Sequence, residues 1–495
     1  MKLRTSLPAA LLLFAASPVA AQSFNQAIVF GDSNVDGGNY RTLANPRANA
    51  TYNALWAGAV ANGAGPPTSS PGPMNSQLLA SYFGLLAQPS NQGGTNYATS
   101  GSKDVTVNNA ATGGFGAAIP TVRQISNYLG ANGGQANSNA LYLINSGSND
   151  VSYALGASGA GPFPANPTQY LTDSANGLAA AVANLRNAGA RYFIVAGEAY
   201  SFPIGGGAAT AASRNLKLQM TQITWSTLSA AGINFIPADT NAFRLAIAAN
   251  PAAFGFQFID TAPGHTACTQ PAGVTTAWAL LCSSNPNAPS HLATPNADQT
   301  RLFADDQHFA TAGQKIEADY FYSLVVAPSE ISLLAENAVQ MRFSLVKGVQ
   351  EQIDISRKNS APGFNAWING DLSTLSIKNN TPGFPSDPNT PLSGTLGADY
   401  RWATGFLVGG AITLGSQSPG FDLGGSFTQQ EVAGSVYGGY CGGPVWADAI
   451  VTYGAVSINV NRMVPIGITV QSNAGSTSGA NVSLATEAGC EASPG

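Results

Sequence analysis

The chain contains 495 residues, of which 44% are hydrophobic and only 9% are charged, and its formal net charge is −5. This length suffices for two or three domains, and the hydrophobic content excludes a largely disordered chain. With 20 basic and 25 acidic residues the sequence has no basic footprint, so nucleic acid is not an expected partner.

Residues 1–21 are predicted to form a secretory signal peptide. Lys2 and Arg4 precede a largely apolar stretch at residues 7–16, and small residues then lead to Ala21. This order of basic, apolar and small residues is typical of export signals, and the apolar part is too short to span a bilayer. We therefore expect an exported protein and exclude this segment from the reasoning about the fold.

Residues 22–325 alternate short apolar segments with longer stretches of helical pattern, which predicts an α/β domain. Strands are predicted at residues 27–30, 141–145, 192–196 and 233–237, and helices at residues 76–86, 120–129, 167–188, 211–231 and 241–249. Strands that alternate with helices form right-handed crossovers and a parallel sheet that is covered on both faces.

The first predicted strand is followed directly by Gly31-Asp32-Ser33. The glycine permits a tight turn, which leaves Ser33 at the carboxyl end of the strand. Open α/β sheets bind their ligands at that end, so Ser33 is a candidate nucleophile. The alternative is a serine that serves only to form the turn.

A serine nucleophile needs a base, and the candidate is His308, which follows Asp305 and Asp306 in the chain. The other two histidines, His265 and His291, belong to the loop region around two cysteines. Asp305 can orient the imidazole through Nδ1, and Asp306 is a rival for this role. A solvated carboxylate or a helix cap is the alternative function of Asp305.

Two further segments can supply hydrogen-bond donors to an oxyanion. Asn149 follows the predicted strand at residues 141–145, so its side-chain amide can point into the crevice that contains Ser33. Gly101 ends the segment 96–101, and its backbone N–H can approach a substrate closely because glycine has no side chain. Taken alone, each segment is also typical of an ordinary turn.

The four cysteines are Cys268, Cys282, Cys441 and Cys490. In an oxidising compartment the first two are predicted to form a disulfide that closes a surface loop of about 15 residues. A metal site is the alternative, but the sequence has no CxxC motif and no histidine cluster to support it. The pairing of Cys441 and Cys490 cannot be assigned from the sequence.

A different pattern begins near Ser329. Apolar residues recur at helical spacing over residues 329–357, which predicts a linker helix at residues 326–358. Residues 359–495 are rich in glycine and alternate in polarity, with predicted strands at residues 364–372, 394–402, 405–414, 430–440 and 445–460. Alternating strands with aromatic residues at their ends are typical of membrane β-barrels, and a soluble β-sandwich is the alternative.

The motifs of the first domain together resemble those of the GDSL, or SGNH, hydrolase family. They occur in the family's order as Gly31-Asp32-Ser33 with Asp36 and Gly38-Asn39, Gly101, Gly147-Ser148-Asn149-Asp150 and Asp305-Asp306-Gln307-His308. The resemblance implies a flavodoxin-like three-layer α/β/α fold and a catalytic triad of Ser33, Asp305 and His308. It also implies an oxyanion hole formed by the backbone N–H groups of Ser33 and Gly101 and by the Asn149 side chain. The chemistry it implies needs no metal or organic cofactor.

The chain departs from this family at two positions. Asn34 stands where leucine is usual, and Phe309 stands where proline often follows the histidine. Neither change removes a reacting group, so both bear on substrate detail more than on catalysis.

The second half resembles the translocator of autotransporter esterases, in which a GDSL passenger is followed by a helix and an outer-membrane barrel. By this resemblance the helix lies in the pore and the barrel begins near Phe364. A complete translocator of this type has about twelve strands, and at about ten residues a strand this needs more chain than residues 364–495 supply. We count about six strands and no terminal aromatic strand, so the expectation is a partial, truncated barrel at residues 359–495.

The sequence thus predicts an exported serine esterase or lipase that cleaves carboxylic esters through an acyl-enzyme. Its expected partners are an ester or lipid substrate and, if the barrel inserts, the outer membrane. Its expected location is the outer membrane or cell surface of a Gram-negative bacterium, with secretion as the alternative. An acyltransferase or carbohydrate esterase on the same scaffold is one alternative. A non-catalytic adhesin is another, although it would not need Ser33, Asp305, His308, Gly101 and Asn149 together.

Overall fold

The computed structural model describes residues 23–490, except residue 71 and residues 108–116, 158–161, 199–207, 360, 373–374 and 377–387. The predicted signal peptide lies outside the described residues. The chain divides into two compact units. One consists of Ser23–Val325 with Pro465–Val470, and the other consists of Val326–Val464 with the residues from Gln471 onward.

The first unit is built on a parallel sheet. Its four strands lie side by side in chain order: β1 (Gln26–Gly31), β2 (Ala140–Asn145), β3 (Tyr192–Ala196) and β4 (Ile236–Ala238). A short segment around Asn96 pairs in parallel with the other edge of β1, where the Tyr97 N–H donates to the Val29 oxygen at 2.8 Å. The strand that precedes Ser33 is therefore interior to the sheet.

Nine helices lie in the described part of the chain. They are α1 (Ala50–Ala61), α2 (Asn75–Tyr82), α3 (Thr121–Ala131), α4 (Ser148–Ala154), α5 (Pro167–Asn187), α6 (Ala208–Ala230), α7 (Thr240–Ala249), α8 (Ala297–Thr300) and α9 (Thr311–Lys358).

Side chains that alternate along the strands pack on opposite faces of the sheet, which makes a three-layer α/β/α unit. On one face Phe30, Tyr142 and Val195 pack against residues of α3, α5 and α6. On the other face Val29 and Leu143 pack against residues of α2 and α9. The predicted α/β fold with a parallel sheet covered on both sides is confirmed.

The helices of the structure differ from the predicted ones in two respects. The predicted linker helix at residues 326–358 is the second part of α9, which begins at Thr311 and continues through Pro328. A proline in a helix costs about 3 kcal/mol, and the buried apolar residues on both sides of it, including Phe321 and Leu333, offset this cost. Helices α1, α4 and α8 are not among the predicted elements, although the side chain of Asn49 caps α1 by accepting from the Tyr52 N–H at 2.8 Å.

The second unit contains a six-stranded antiparallel sheet. Its strands, in spatial order, are β12 (Thr469–Cys490), β11 (Val445–Ile466), β10 (Gly425–Gly442), β9 (Phe406–Gln417), β8 (Leu392–Arg401) and β5 (Gly363–Leu372). A separate pair consists of β6 (Leu375–Ser376) and β7 (Pro388–Asn389). The sheet has the predicted six strands. Strand β12 lies beyond the last segment predicted individually, because its small and polar residues give little hydrophobic alternation.

The polarity of this sheet is inverted relative to a soluble protein. Apolar side chains such as Ile412 and Val436 are exposed, whereas Thr413, Gln429 and Glu431 are buried on the opposite face. Charged and polar side chains of α9 meet that buried face: Arg342 forms an ion pair with Glu431, and Gln352 Nε2 lies 3.1 Å from Asp399 Oδ2. An apolar outer face around a polar interior is typical of membrane-embedded sheets. In the described part of the chain, no helix is long and apolar enough to cross a bilayer.

A disulfide joins Cys268 and Cys282, which are separated by 14 positions. The bridged loop packs with α1 in a second core that includes Tyr52, Trp56 and Trp278. The Cys268 N–H also donates to the Ala304 oxygen at 3.0 Å. The disulfide therefore braces the segment that leads directly into Asp305.

We expect the double substitution Cys268→Ser/Cys282→Ser to lower the free energy of unfolding of the first unit by about 3 kcal/mol, because it releases a loop constrained in the unfolded chain. The measurement is the urea concentration that halves esterase activity in the purified full chain. Cys441→Ser serves as the control and should leave that midpoint unchanged. An unchanged midpoint for the double variant would contradict the expectation.

Candidate active site

Ser33 lies half-buried at the carboxyl edge of the sheet, in a turn that depends on Gly31. At Gly31 the backbone has φ +146°, and a Cβ there would lie 1.9 Å from the Asn145 carbonyl oxygen. Only glycine permits this close approach of β1 to the end of β2. The Asp32 side chain then closes the turn by accepting the Asn34 N–H at 2.9 Å.

Asp36 fastens the Ser33 turn to the loop that contains Gly101. Its Oδ1 accepts the N–H groups of Gly38 and Asn39, each at 2.8 Å. Its Oδ2 accepts the N–H and the hydroxyl of Ser100 at 2.8 and 2.7 Å. Burial raises the pKa of Asp36, and these four hydrogen bonds oppose the rise. Gly101 follows at φ +80°, a left-handed conformation that suits glycine.

Asp32 connects the same turn to the first turn of α4. Its Oδ2 accepts the Ser148 hydroxyl at 2.7 Å, and Asn149 Nδ2 lies 3.5 Å from that oxygen. Asn149 Nδ2 also donates to the Ser102 oxygen at 2.9 Å. The three residues predicted to form an oxyanion hole, Ser33, Gly101 and Asn149, thus belong to loops that Asp32 and Asp36 tie together.

His308 and Asp305 form a buried pair. His308 Nδ1 lies 2.9 and 3.0 Å from the two Asp305 carboxylate oxygens. Asp305 also accepts the backbone N–H groups of His308, Gln307 and Ala279 at 2.7, 2.9 and 3.0 Å. The rival Asp306 instead accepts the Ala277 N–H at 3.1 Å.

The two charges stabilise each other. Burial alone would lower the pKa of His308, but the Asp305 carboxylate raises this pKa above its usual value, and Asp306 and Asp32 contribute in the same direction. Burial would raise the pKa of Asp305, but the imidazolium and the backbone hydrogen bonds hold it below its usual value. Because the Asp32 charge acts on the pKa of His308, the motif that contains Ser33 and the motif that contains His308 lie close enough to interact electrostatically.

The remaining histidines have other contacts. His265 Nδ1 lies 2.6 Å from Asp260 Oδ1, and His291 Nδ1 lies 2.6 Å from the Ala288 oxygen. Within the described ranges, no group of three or more His, Cys, Asp and Glu side chains is arranged to hold a metal ion.

Sequence reasoning assigned no role to Asp32 or to the buried residues behind the site, Asn75 and Glu317. Asp32 is part of a recognised motif, so its position beside Ser33 was an available signal. Asn75 and Glu317 stand in ordinary helical sequence, and only the tertiary structure brings them together.

Comparison with known proteins decides the family. The model of the GDSL-like lipase/acylhydrolase family matches residues 28–321. The chain belongs to this family. A model of the autotransporter β-domain matches residues 366–494 of this chain.

Of three relatives, two match this chain over nearly its full length and a third matches 35% of it. Esterase EstA of Pseudomonas aeruginosa is 26% identical, over 97% of this chain and 75% of its own length. A Pseudomonas putida protein described as an uncharacterized protein in the trpE-trpG intergenic region is 26% identical, over 96% of this chain and 78% of its own. Lipase 1 of Photorhabdus luminescens is 30% identical, over 35% of this chain and 22% of its own.

These matches confirm the resemblance inferred from the motifs. The GDSL-family chain is a carboxylic ester hydrolase. Its autotransporter β-domain makes it an exported protein of the outer membrane or cell surface of Gram-negative bacteria.

The pH dependence of hydrolysis should reveal the effect of the Asp305 carboxylate on the pKa of His308. If His308 is the base, it must be neutral to act, so kcat/KM should rise with pH through a His308 pKa above its usual value of about 6.5. In Asp305→Asn the charge that raises the pKa of His308 is absent, while the burial that lowers this pKa remains. The rise of kcat/KM at acid pH, the acid limb of the profile, should therefore move to lower pH. The substitution also removes the carboxylate that fixes the tautomer, and kcat should fall by about 10⁴-fold.

The measurement is a kcat/KM profile from pH 4 to 9 with a short-chain p-nitrophenyl ester. Asp306→Asn is the matched control, because its charge makes a smaller contribution and its carboxylate does not touch the ring. It should move the acid limb less and keep most of kcat. A larger effect of Asp306→Asn than of Asp305→Asn would reverse the assignment of the orienting carboxylate.

Proposed function

We propose that this ester hydrolase works through a catalytic triad in which Ser33 is the nucleophile, His308 the general base and Asp305 the orienting carboxylate. The contact of both Asp305 oxygens with His308 Nδ1 carries this proposal. A carboxylate in that position favours the tautomer with its proton on Nδ1, so Nε2 is available to accept the Ser33 proton.

Hydrolysis proceeds in two halves. His308 accepts the Ser33 proton as Oγ attacks the ester carbonyl carbon, and the tetrahedral intermediate collapses as His308 protonates the leaving alcohol. An acyl-enzyme remains on Ser33. His308 then deprotonates a water molecule, whose oxygen attacks the acyl carbonyl, and the acid leaves as the proton returns to Ser33.

We assign the oxyanion hole to the backbone N–H groups of Ser33 and Gly101 and to the Asn149 amide. Asn149 Nδ2 has two hydrogens: it donates one to the Ser102 oxygen at 2.9 Å, and the other faces Asp32 Oδ2 at the longer distance of 3.5 Å, a weak bond that an oxyanion would replace. Loss of one such donor should reduce kcat by about 10²–10³-fold.

The substrate class is a carboxylic ester or lipid. In the proposed organisation, residues 22–325 form the exported hydrolase domain, residues 326–358 connect it to the β-domain, and residues 359–495 belong to that β-domain. Two observations support this arrangement: the compact units separate at Val325, and the second unit has an apolar exterior.

The test is hydrolysis of p-nitrophenyl esters of short and long acyl chains by the full chain in detergent. Ser33→Ala should reduce kcat by about 10⁶-fold, to background. Ser126→Ala, which removes an exposed serine hydroxyl on α3, is the control and should retain full activity. The chain-length profile separates an esterase from a lipase. If Ser33→Ala kept its activity, another nucleophile would carry the reaction.

A further inference from the structure

The proposed triad joins two turns that are remote in sequence, and buried polar side chains lie directly behind both of them. Glu317 and Gln314 lie near the start of α9 and are each 2% exposed, and Asn75 at the start of α2 is fully buried. Their contacts reach Asn34 and Phe309, which are the residues that follow Ser33 and His308 in the chain.

Asn75 connects Glu317 to the Ser33 turn. Asn75 Nδ2 donates to Glu317 Oε2 at 2.5 Å and to the Asn34 carbonyl oxygen at 2.8 Å. An amide nitrogen has two hydrogens, so both bonds can form at once. The carboxylate of Glu317 thereby fixes the amide that holds the backbone next to Ser33.

Gln314 connects the same helix to the His308 turn. Its Oε1 accepts the Asn75 backbone N–H at 3.0 Å, and its Nε2 donates to the Phe309 oxygen at 3.3 Å. Gln314 thus links Asn75 to the residue that follows His308.

Arg244 on α7 forms a second connection to the His308 turn. Its guanidinium carbon lies 4.2 Å from the centre of the Phe309 ring, a cation–π distance. Burial raises the pKa of Glu317 to about 7, and the positive charge of Arg244 and the bond from Asn75 oppose the rise. Arg244 therefore faces both Glu317 and Phe309.

We propose that Glu317 is a positioning residue, which acts through Asn75 on the Ser33 turn. Together with Gln314 and Arg244, it holds the Ser33 turn and the His308 turn at the separation that the reaction needs. None of the four needs to touch substrate. Proton transfer from Ser33 to His308 requires a hydrogen-bond distance, and a displacement of about 1 Å in such a geometry costs about 10²-fold in rate. The inference rests on the proposed roles of Ser33 and His308.

The experiment compares Glu317→Leu, Glu317→Gln and Asp319→Leu in the full chain. Glu317→Leu roughly keeps the size of the side chain but removes the oxygen that accepts from Asn75 Nδ2. Glu317→Gln restores an acceptor oxygen, so it should rescue the rate. Asp319→Leu is the matched control, because Asp319 is a second largely buried carboxylate on α9 but bonds to Tyr82, Lys315 and the Gly467 N–H instead.

Two readouts distinguish positioning from stability: kcat and KM for a short p-nitrophenyl ester, and the rate at which a phosphonate ester labels Ser33. We expect Glu317→Leu to lower kcat and the labelling rate together by at least about 10-fold, with KM within about 3-fold of wild type. Glu317→Gln should stay within about 3-fold of wild type in kcat. Asp319→Leu should lower the thermal midpoint yet keep kcat.

A folded Glu317→Leu with wild-type kcat would overturn the inference, and so would an equal loss of kcat in Asp319→Leu. If Glu317→Leu does not fold, Asn75→Leu removes the same connection from the other side, and wild-type kcat in that variant would also overturn it. Failure of the phosphonate to label wild-type Ser33 would instead overturn the proposed triad, and this inference with it.

Discussion

Buried carboxylates that accept backbone N–H groups hold the active-site loops of this hydrolase together. Asp32, Asp36 and Asp305 are each fully buried, a position that is unfavourable for a carboxylate without hydrogen bonds or an opposite charge. Asp36 accepts four hydrogen bonds from two loops, and Asp305 accepts three backbone N–H groups in addition to the imidazole. Because each bond is lost if a loop moves, the desolvation of these groups makes any other loop arrangement costly.

The second unit uses charge differently. Its sheet has apolar side chains on the exposed face and both polar and apolar ones on the buried face, where Glu431, Phe427 and Ile450 are all buried. Ion pairs such as those of Arg342 with Glu431 and Arg462 with Glu330 therefore lie inside it. Removing one partner of such a pair would leave an uncompensated buried charge. Helix α9 buries both apolar and polar side chains in each unit: Phe321 and Glu317 in the first, and Leu345 and Arg342 in the second.

The sequence predicts those parts of the fold and site that depend on local signals. The strands at 27–30, 141–145 and 192–196 are short apolar runs between turn residues, and the structure has strands at all three. The proximity of Asp305 and His308 follows from their spacing. The fourth strand, predicted at 233–237, instead occupies Ile236–Ala238, because Ile233 packs in the core without entering the sheet.

The remaining features depend on contacts between distant residues. The bonds of Asp36 to Ser100 span 64 positions, and those of Asn75 to Glu317 span 242. No periodicity or motif predicts these bonds, although Asp36 itself belongs to the motif that contains Ser33, because the partner in each bond lies far away in the chain. Phe309, which departs from the family pattern, also has a distant partner, because the Arg244 guanidinium carbon lies 4.2 Å from the centre of its ring.

The hydrolase unit places the start and the end of its chain side by side, and this has a consequence for how the enzyme is made. Ser33 is among the first residues of the hydrolase unit to be synthesised, whereas His308 and the start of α9 are among the last. The proposed nucleophile therefore exists in the growing chain long before the proposed base, and contacts between such distant segments form slowly in folding. If Ser33 and His308 act as proposed, a chain that lacks the final segment of the unit has the serine without its base and should not hydrolyse esters.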